Sequence, residues 1–132
     1  MKKLLTGLVA ACCLCTPLAA RTPAAGSAER KAILDALRPS VEARIGPNVE
    51  FVVSILNVEG NWAFVHAEPR RKGGKQIDGR AYFPHEWDDM DGITSTAILR
   101  YQNKRWNLVE SAIGATDAWY CGMPQVRALT GC

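Results

Sequence analysis

Two histidines and thirteen carboxylates supply the acid–base chemistry of this 132-residue chain. A general base needs a polar partner within hydrogen-bond reach, inside a pocket. His66 continues the phase of Trp62 and Phe64 along a strand-like run, and its candidate partner is Glu110, on the last such run, or a loop carboxylate. The simpler reading makes His66 a satisfied residue on an apolar face. His85, with Glu86 and Asp88, has the atoms of a transition-metal site, but the spacing matches no helical ligand motif. Asp89-Met90-Asp91-Gly92 resembles part of a calcium loop, yet the first and twelfth ligand positions would fall on Trp87 and Ile98. A glycosidase-type pair needs two acids at a fixed separation in a cleft, and acids clustered in a loop are ordinarily solvated. No G-x-S-x-G elbow or Cys/His arrangement signals a nucleophile. The residues therefore predict no metal, no cofactor and no catalytic machinery, with His66, partnered by Glu110 or a loop carboxylate, as the enzymatic alternative.

Cysteine usage and the first residues bear on compartment. Lys2 and Lys3 precede an apolar run over residues 4–14, and Leu18-Ala19-Ala20 closes it. This is the layout of a signal peptide over residues 1–20, too short to cross a bilayer as a helix. The mature chain is read as having no transmembrane helix and as periplasmic or secreted. Val9-Ala10-Ala11-Cys12 resembles a lipobox, so lipid anchoring through Cys12 is the alternative, although the apolar run continues past it through Cys13 and Cys15. Cys121 and Cys132 are then left to pair with each other. No Cys-x-x-Cys motif suggests a redox role, and two cysteines without neighbouring histidines make half a zinc site. Losing Lys2 and Lys3 from 16 basic residues, against 13 acidic ones, brings the domain close to neutrality. A near-neutral domain has no overall field for nucleic acid or an anionic membrane.

The elements that must position these groups read as one α+β domain over residues 27–132, after a disordered leader at 21–26. Ser27 is the expected N-cap, with Glu29 in the first turn. Ile33, Leu34, Leu37, Val41 and Ile45 recur at helical spacing. Pro39 predicts a kink or a two-piece helix, and Gly46-Pro47 predicts its end. Residues 49–58 and 62–67 form a first hairpin about Glu59-Gly60-Asn61, with Val49, Phe51, Val53 and Ile55 on one face. Residues 93–101 and 105–113 form a second, with Trp106, Leu108, Glu110 and Ala112 on one face. Thr116 or Asp117 is the expected cap of a helical turn carrying Trp119 and Tyr120. The predicted architecture is an N-terminal helix, kinked near Pro39, packed on a four-stranded antiparallel sheet of two hairpins.

Residues 68–92 are too long for an ordinary connection. Arg70, Arg71, Lys72, Lys75 and Arg80 crowd the first half, and Glu86, Asp88, Asp89 and Asp91 the second. Tyr82, Phe83 and Trp87 are either anchors for a partner, with Arg70 and Arg71 beside them, or a cover docked on the sheet. A basic loop suits nucleic acid, but export argues against that partner. Trp62, Trp106 and Trp119 read as packing residues rather than a ligand cage.

The run from Leu56 to Val65, with Gly92, Lys104-Arg105-Trp106 and Ile113-Gly114-Ala115-Thr116-Asp117, resembles a group of small exported bacterial proteins without assigned function. The resemblance covers nearly all of the mature chain and carries over no catalytic residue. A helix on a curved antiparallel sheet is also similar in architecture to cystatin-like and nuclear-transport-factor-2-like folds, which serve several functions. Taken together, the sequence predicts a non-catalytic exported domain that binds another envelope protein through residues 68–92. The alternatives are a ligand carrier or enzyme with a helix/sheet pocket around His66, and a lipid-anchored scaffold.

Overall fold

The computed structural model describes residues 19–132. The expected signal peptide, the lipobox, and Cys12, Cys13 and Cys15 lie outside the described residues, apart from Ala19 and Ala20. An 18-residue helix, α1 (Ala28–Ile45), packs across a four-stranded antiparallel meander of order β1-β2-β3-β4. The strands are β1 (Val49–Glu59), β2 (Trp62–Arg71), β3 (Ser95–Gln102) and β4 (Arg105–Ile113). A one-turn helix α2 (Gly79–Tyr82) and a 3₁₀ turn at Trp87–Asp89 connect the hairpins. The 3₁₀ turns Trp119–Gly122 and Pro124–Val126 and the short α3 (Arg127–Thr130) form the C-terminal segment. Among the described residues no helix is long and apolar enough to cross a membrane.

Helix α1 starts where its sequence says it should. The Ser27 Oγ accepts from the Arg30 N–H at 3.2 Å, satisfying one of the free donors at the helix start. Ile33, Leu37, Val41 and Ile45, one turn apart, are all buried against the sheet. Pro39 lies inside a single helix, at an exposed position where its ring meets solvent rather than the sheet. The C-terminal end is capped from β2. The Arg71 guanidinium donates to the carbonyls of Ile45, Gly46 and Pro47, and to the Tyr82 hydroxyl at 2.7 Å. A cation at the negative end of the helix dipole is doubly favourable. This assigns Arg71 to the fold.

Strict alternation fails once in each outer strand, at a β-bulge. In β1 the register slips between Val53 and Ile55. Val49, Phe51 and Val53 face the helix, and beyond Ser54 it is Leu56 and Val58 that do so. Ile55, expected on the inner face, is turned out and 37% exposed, while Leu56 is 1% exposed. Unbroken alternation would have carried Asn57 and Glu59 into the core, at the cost of burying polar groups. In β4, Ile98 pairs with Glu110 but Leu99 pairs with Leu108, so Val109 is the extra residue. Trp106, Leu108 and Ile113 pack against the helix-side core. Glu110 is therefore on the face opposite Trp106 and Leu108, not beside them as expected, and its carboxylate avoids the core.

The sheet is buried on both faces. Against α1 lie Val49, Leu56, Val58, Ala63, Val65, Ala67, Ala97 and Leu99. On the other face Phe64 and Ile98 are fully buried under Val126 and Leu129 of the C-terminal segment. Phe64 meets Tyr120 at 4.5 Å between ring centroids, and the Trp119 indole N–H donates to Thr96 Oγ1 at 2.9 Å. Neither Thr116 nor Asp117 caps the turn carrying Trp119 and Tyr120; Ala118 holds that position and makes no side-chain cap. The structure pairs Cys121 with Cys132, with Cα atoms 5.6 Å apart, and so closes the covering segment on itself.

Two expected boundaries move. β2 runs on to Arg71, so residues 68–71 belong to the sheet and not to the connection. The leader contacts the sheet: Arg21 exchanges two backbone hydrogen bonds with Val58, at 2.7 and 2.8 Å, and Pro23 is buried. Outward-facing backbone groups on an edge strand favour such pairing.

The staple generates a prediction. Replacing Cys121 and Cys132 by Ser should lower stability by about 2–3 kcal/mol, the loop-closure value for so short a loop. It should also speed hydrogen exchange at the Trp119 indole, with little change at the α1 amides. Equal acceleration on both faces would show that the sheet does not separate the two cores.

Candidate functional site

A cavity opens where α1 and the tip of the β3–β4 hairpin diverge, a groove of about 760 Å³. This lies within the range of ligand sites. The wall on α1 is set by the helical period. Ala28, Ala32 and Ala36 recur four apart, beside Glu29 and Asp35. They run alongside the larger Ile33-Leu37-Val41-Ile45 stripe, and their small side chains leave the space open. The opposite wall is Tyr101 and Trp106, a cross-strand pair with ring centroids 5.4 Å apart. Lys104 and Arg105 form the rim at the hairpin tip, and Arg21 and Gly60 close one end.

The charges of the groove are unevenly satisfied. Arg21 donates both Nη groups to Glu29, at 2.6 and 2.7 Å, and the hydrogen bonds hold the Glu29 carboxyl below its ordinary range. Lys31 and Arg38 both bond Asp35, and those hydrogen bonds lower its carboxyl likewise. Among the described residues, Lys104 and Arg105 have no acidic partner. Lys104 also sits in the left-handed region, φ 61°, after Asn103 at φ 56°. Two-residue hairpin loops of this kind favour Asn-Gly, because a side chain at the second position is strained.

The sequence-predicted binding residues lie elsewhere. Phe83 is 4% exposed and belongs to the helix-side core, with Trp87 packed against it. Gly79 makes that packing feasible, since a Cβ there would stand 2.1 Å from the Trp87 ring. Tyr82 is 42% exposed, but its hydroxyl is held by Arg71, whose guanidinium also lies over its ring. Arg70 points to the other face and bonds Glu68 at 3.3 Å. Phe83 and Trp87 thus belong to the cover of the core while Tyr82 stays at the surface, and the charges of residues 68–92 pair in part, as between Arg80 and Asp88 at 3.0 Å.

His66 is not in the helix/sheet groove. It lies on the opposite face, in register with Thr96, and Thr96 in turn pairs with Ala112. Glu110 shares that face, but β3 stands between it and His66. The carboxylates that line the small cavity around His66 are Asp91 and Asp117. His85 is exposed, and among the described residues no group of three or more His, Cys, Asp or Glu is placed to hold a metal ion. Sequence reasoning missed the groove residues. The available signals were the alanine stripe beside the core stripe, and a Lys where the turn calls for Gly.

The lowered carboxyls set an acid dependence. A carboxyl depressed by folding contributes stability above its unfolded value, and the contribution is lost as pH falls through the folded value. Both groups are more than a third exposed or nearly so, so each contributes at most about 1 kcal/mol. The Glu29→Gln/Asp35→Asn variant should start less stable at neutral pH and converge on the parent below about pH 4. Urea midpoints across that range check this; parallel curves would deny the two carboxyls any linkage.

No known protein family, no curated protein and no solved structure matches this chain.

Proposed function

We propose that the protein is an exported, non-catalytic binding domain, and that the groove between α1 and the β3–β4 hairpin takes an apolar segment of another envelope protein bearing an acidic group. The observation that carries this reading is the pairing of an open alanine-floored groove with a strained Lys104 at its rim, which has no acidic partner among the described residues. Local strain kept at one side chain argues for a use of that side chain. Glycine would relieve the turn but remove the charge. The aromatic wall supplies area at low entropic cost, and Lys104 with Arg105 would orient an acidic group at the mouth. Export rests on the charged and apolar pattern of residues 1–20, and the Cys121–Cys132 pair suits an oxidising compartment.

Ala32 is exposed on the groove floor, so Ala32→Trp should fill the groove and leave the core untouched. Oxidised protein starting at residue 21 should capture a saturable partner from the source envelope. Ala32→Trp should abolish that capture, and Lys104→Glu/Arg105→Glu should weaken it about tenfold or more. Undiminished capture by a folded Ala32→Trp variant would exclude the groove. In parallel, Lys104→Gly should raise stability by about 1 kcal/mol while weakening the same capture. A neutral or destabilising change would mean that the turn carries no strain at this position.

A further inference from the structure

The C-terminal segment is attached to the far face of the sheet by side chains alone. The chain leaves the sheet at Gly114, whose N–H donates to the Thr94 carbonyl at 2.8 Å and whose carbonyl accepts from the Asp91 N–H at 2.9 Å. Gly114 has φ 67°, and a Cβ on it would stand 2.5 Å from the Gly92 carbonyl oxygen. This is the last point fixed by backbone. Among the described residues beyond it, the backbone bonds outside α3 stay within the segment: Cys121 to Ala118, Met123 to Tyr120 and Val126 to Met123. The leader, by contrast, is paired with β1 through Arg21 and Val58.

The disulfide does not fasten the segment to the sheet, because both of its ends lie in the segment. It joins Cys121, in the first turn, to Cys132, beyond α3. The cover is thereby one closed loop. Its apolar contacts are those of Val126, Leu129 and Tyr120 with Phe64 and Ile98. Two hydrogen bonds pin its ends. The Trp119 indole N–H donates to Thr96 Oγ1 at 2.9 Å, and the Asn57 side-chain amide donates to the Leu129 carbonyl at 3.0 Å. Residues 115–118, of which Thr116, Asp117 and Ala118 are exposed, are its covalent link to the sheet.

We infer that residues 119–132 form a lid, which swings off the sheet as one closed loop about residues 115–118. Elements with little backbone bonding to the rest of a fold are the ones that open below the global unfolding limit. The disulfide makes this opening collective. With the loop closed, the Trp119 pin and the Leu129 pin release together; with it reduced, each end is free to leave by itself. Opening bares Phe64 and Ile98 beside Val52 and Ile55, which are already 55% and 37% exposed. The lid therefore gates an apolar face of the sheet.

Native-state hydrogen exchange of the oxidised protein tests this. The Trp119 indole and the Met123 and Val126 amides should share one protection factor, at least about tenfold below that of the slowest α1 amides. Their exchange should also rise less steeply with urea, because lid opening exposes less surface than unfolding. Removing a pin should be detected at the other end of the loop. Thr96→Val should speed the Val126 amide about fivefold, the net effect of one hydrogen bond, and Asn57→Ala should speed the Trp119 indole by about as much. After reduction with dithiothreitol, each substitution should speed only the end that lost its pin. Lid probes as slow and as urea-sensitive as α1 would make the segment a fixed part of the core. Effects confined to one end in the oxidised protein would show fraying rather than a lid. A cross-end effect that survives reduction would remove the disulfide from the device. None of these outcomes bears on the groove.

Discussion

The rest of the structure depends on a single extra residue in β1. Up to Val53 the strand buries one set of alternate side chains, and from Leu56 it buries the other. The driving force is hydrophobic: each of Leu56 and Val58 gains roughly 1.5–3 kcal/mol by burial, whereas unbroken alternation would bury Asn57. The bulge that achieves this leaves Ser54 out of register, and Ser54 fastens the defect by bonding both the ring and the carbonyl of His66 on β2. The second bulge, at Val109, solves the same problem for Glu110. Bulges also bend and twist the strands that carry them, which suits outer strands wrapping one helix.

A sheet with two apolar faces needs two covers, and this chain supplies them with unequal means. Helix α1 covers one face by its own periodicity, and Arg71 holds its end from the sheet below. The other face is covered by the short turns that follow β4, which have little cooperative helical stability of their own. That segment relies on Val126 and Leu129, on Tyr120 against Phe64, on the Asn57 side chain bonded to the Leu129 carbonyl at 3.0 Å, and on the disulfide. The cover reaches only part of the face. Val52 stays 55% exposed beyond it, and the cavity around His66 opens along its margin.

The two cavities differ in the chemistry that bounds them. The groove has an apolar floor and aromatic wall, with acids answered by Arg21, Lys31 and Arg38 and, among the described residues, two cations without an acidic partner at the rim. The far cavity is more polar, lined in part by Asp91 and Asp117. The two cavities sit on opposite faces of one sheet.

The sequence by itself determined the elements and their order. Helical spacing from Ile33 to Ile45, the Ser27 cap and two turn-bounded pairs of β-rich runs specified an α+β fold of one helix on a four-stranded antiparallel sheet, because each of these is a local preference repeated along the chain. The pairing of Cys121 with Cys132 followed from simple counting. The sequence also held a legible warning of the bulges: the apolar phase of β1 changes between Val53 and Leu56, and Glu110 falls on the inner phase of β4. Only tertiary structure decided the sites. Phe83 and Trp87 look like exposed anchors in a polar loop, yet they are core because that loop folds back under α1. Arg71 looks like a free cation, yet it caps a helix 26 residues earlier. Ala28, Ala32 and Ala36 are unremarkable until a hairpin tip stands across from them, and Asp91 and Asp117 come to line one cavity with His66 only after β4 and the C-terminal turn have closed. Local patterns fix which residues are buried on their own element; what faces a cavity depends on elements distant in sequence, and no local preference encodes that.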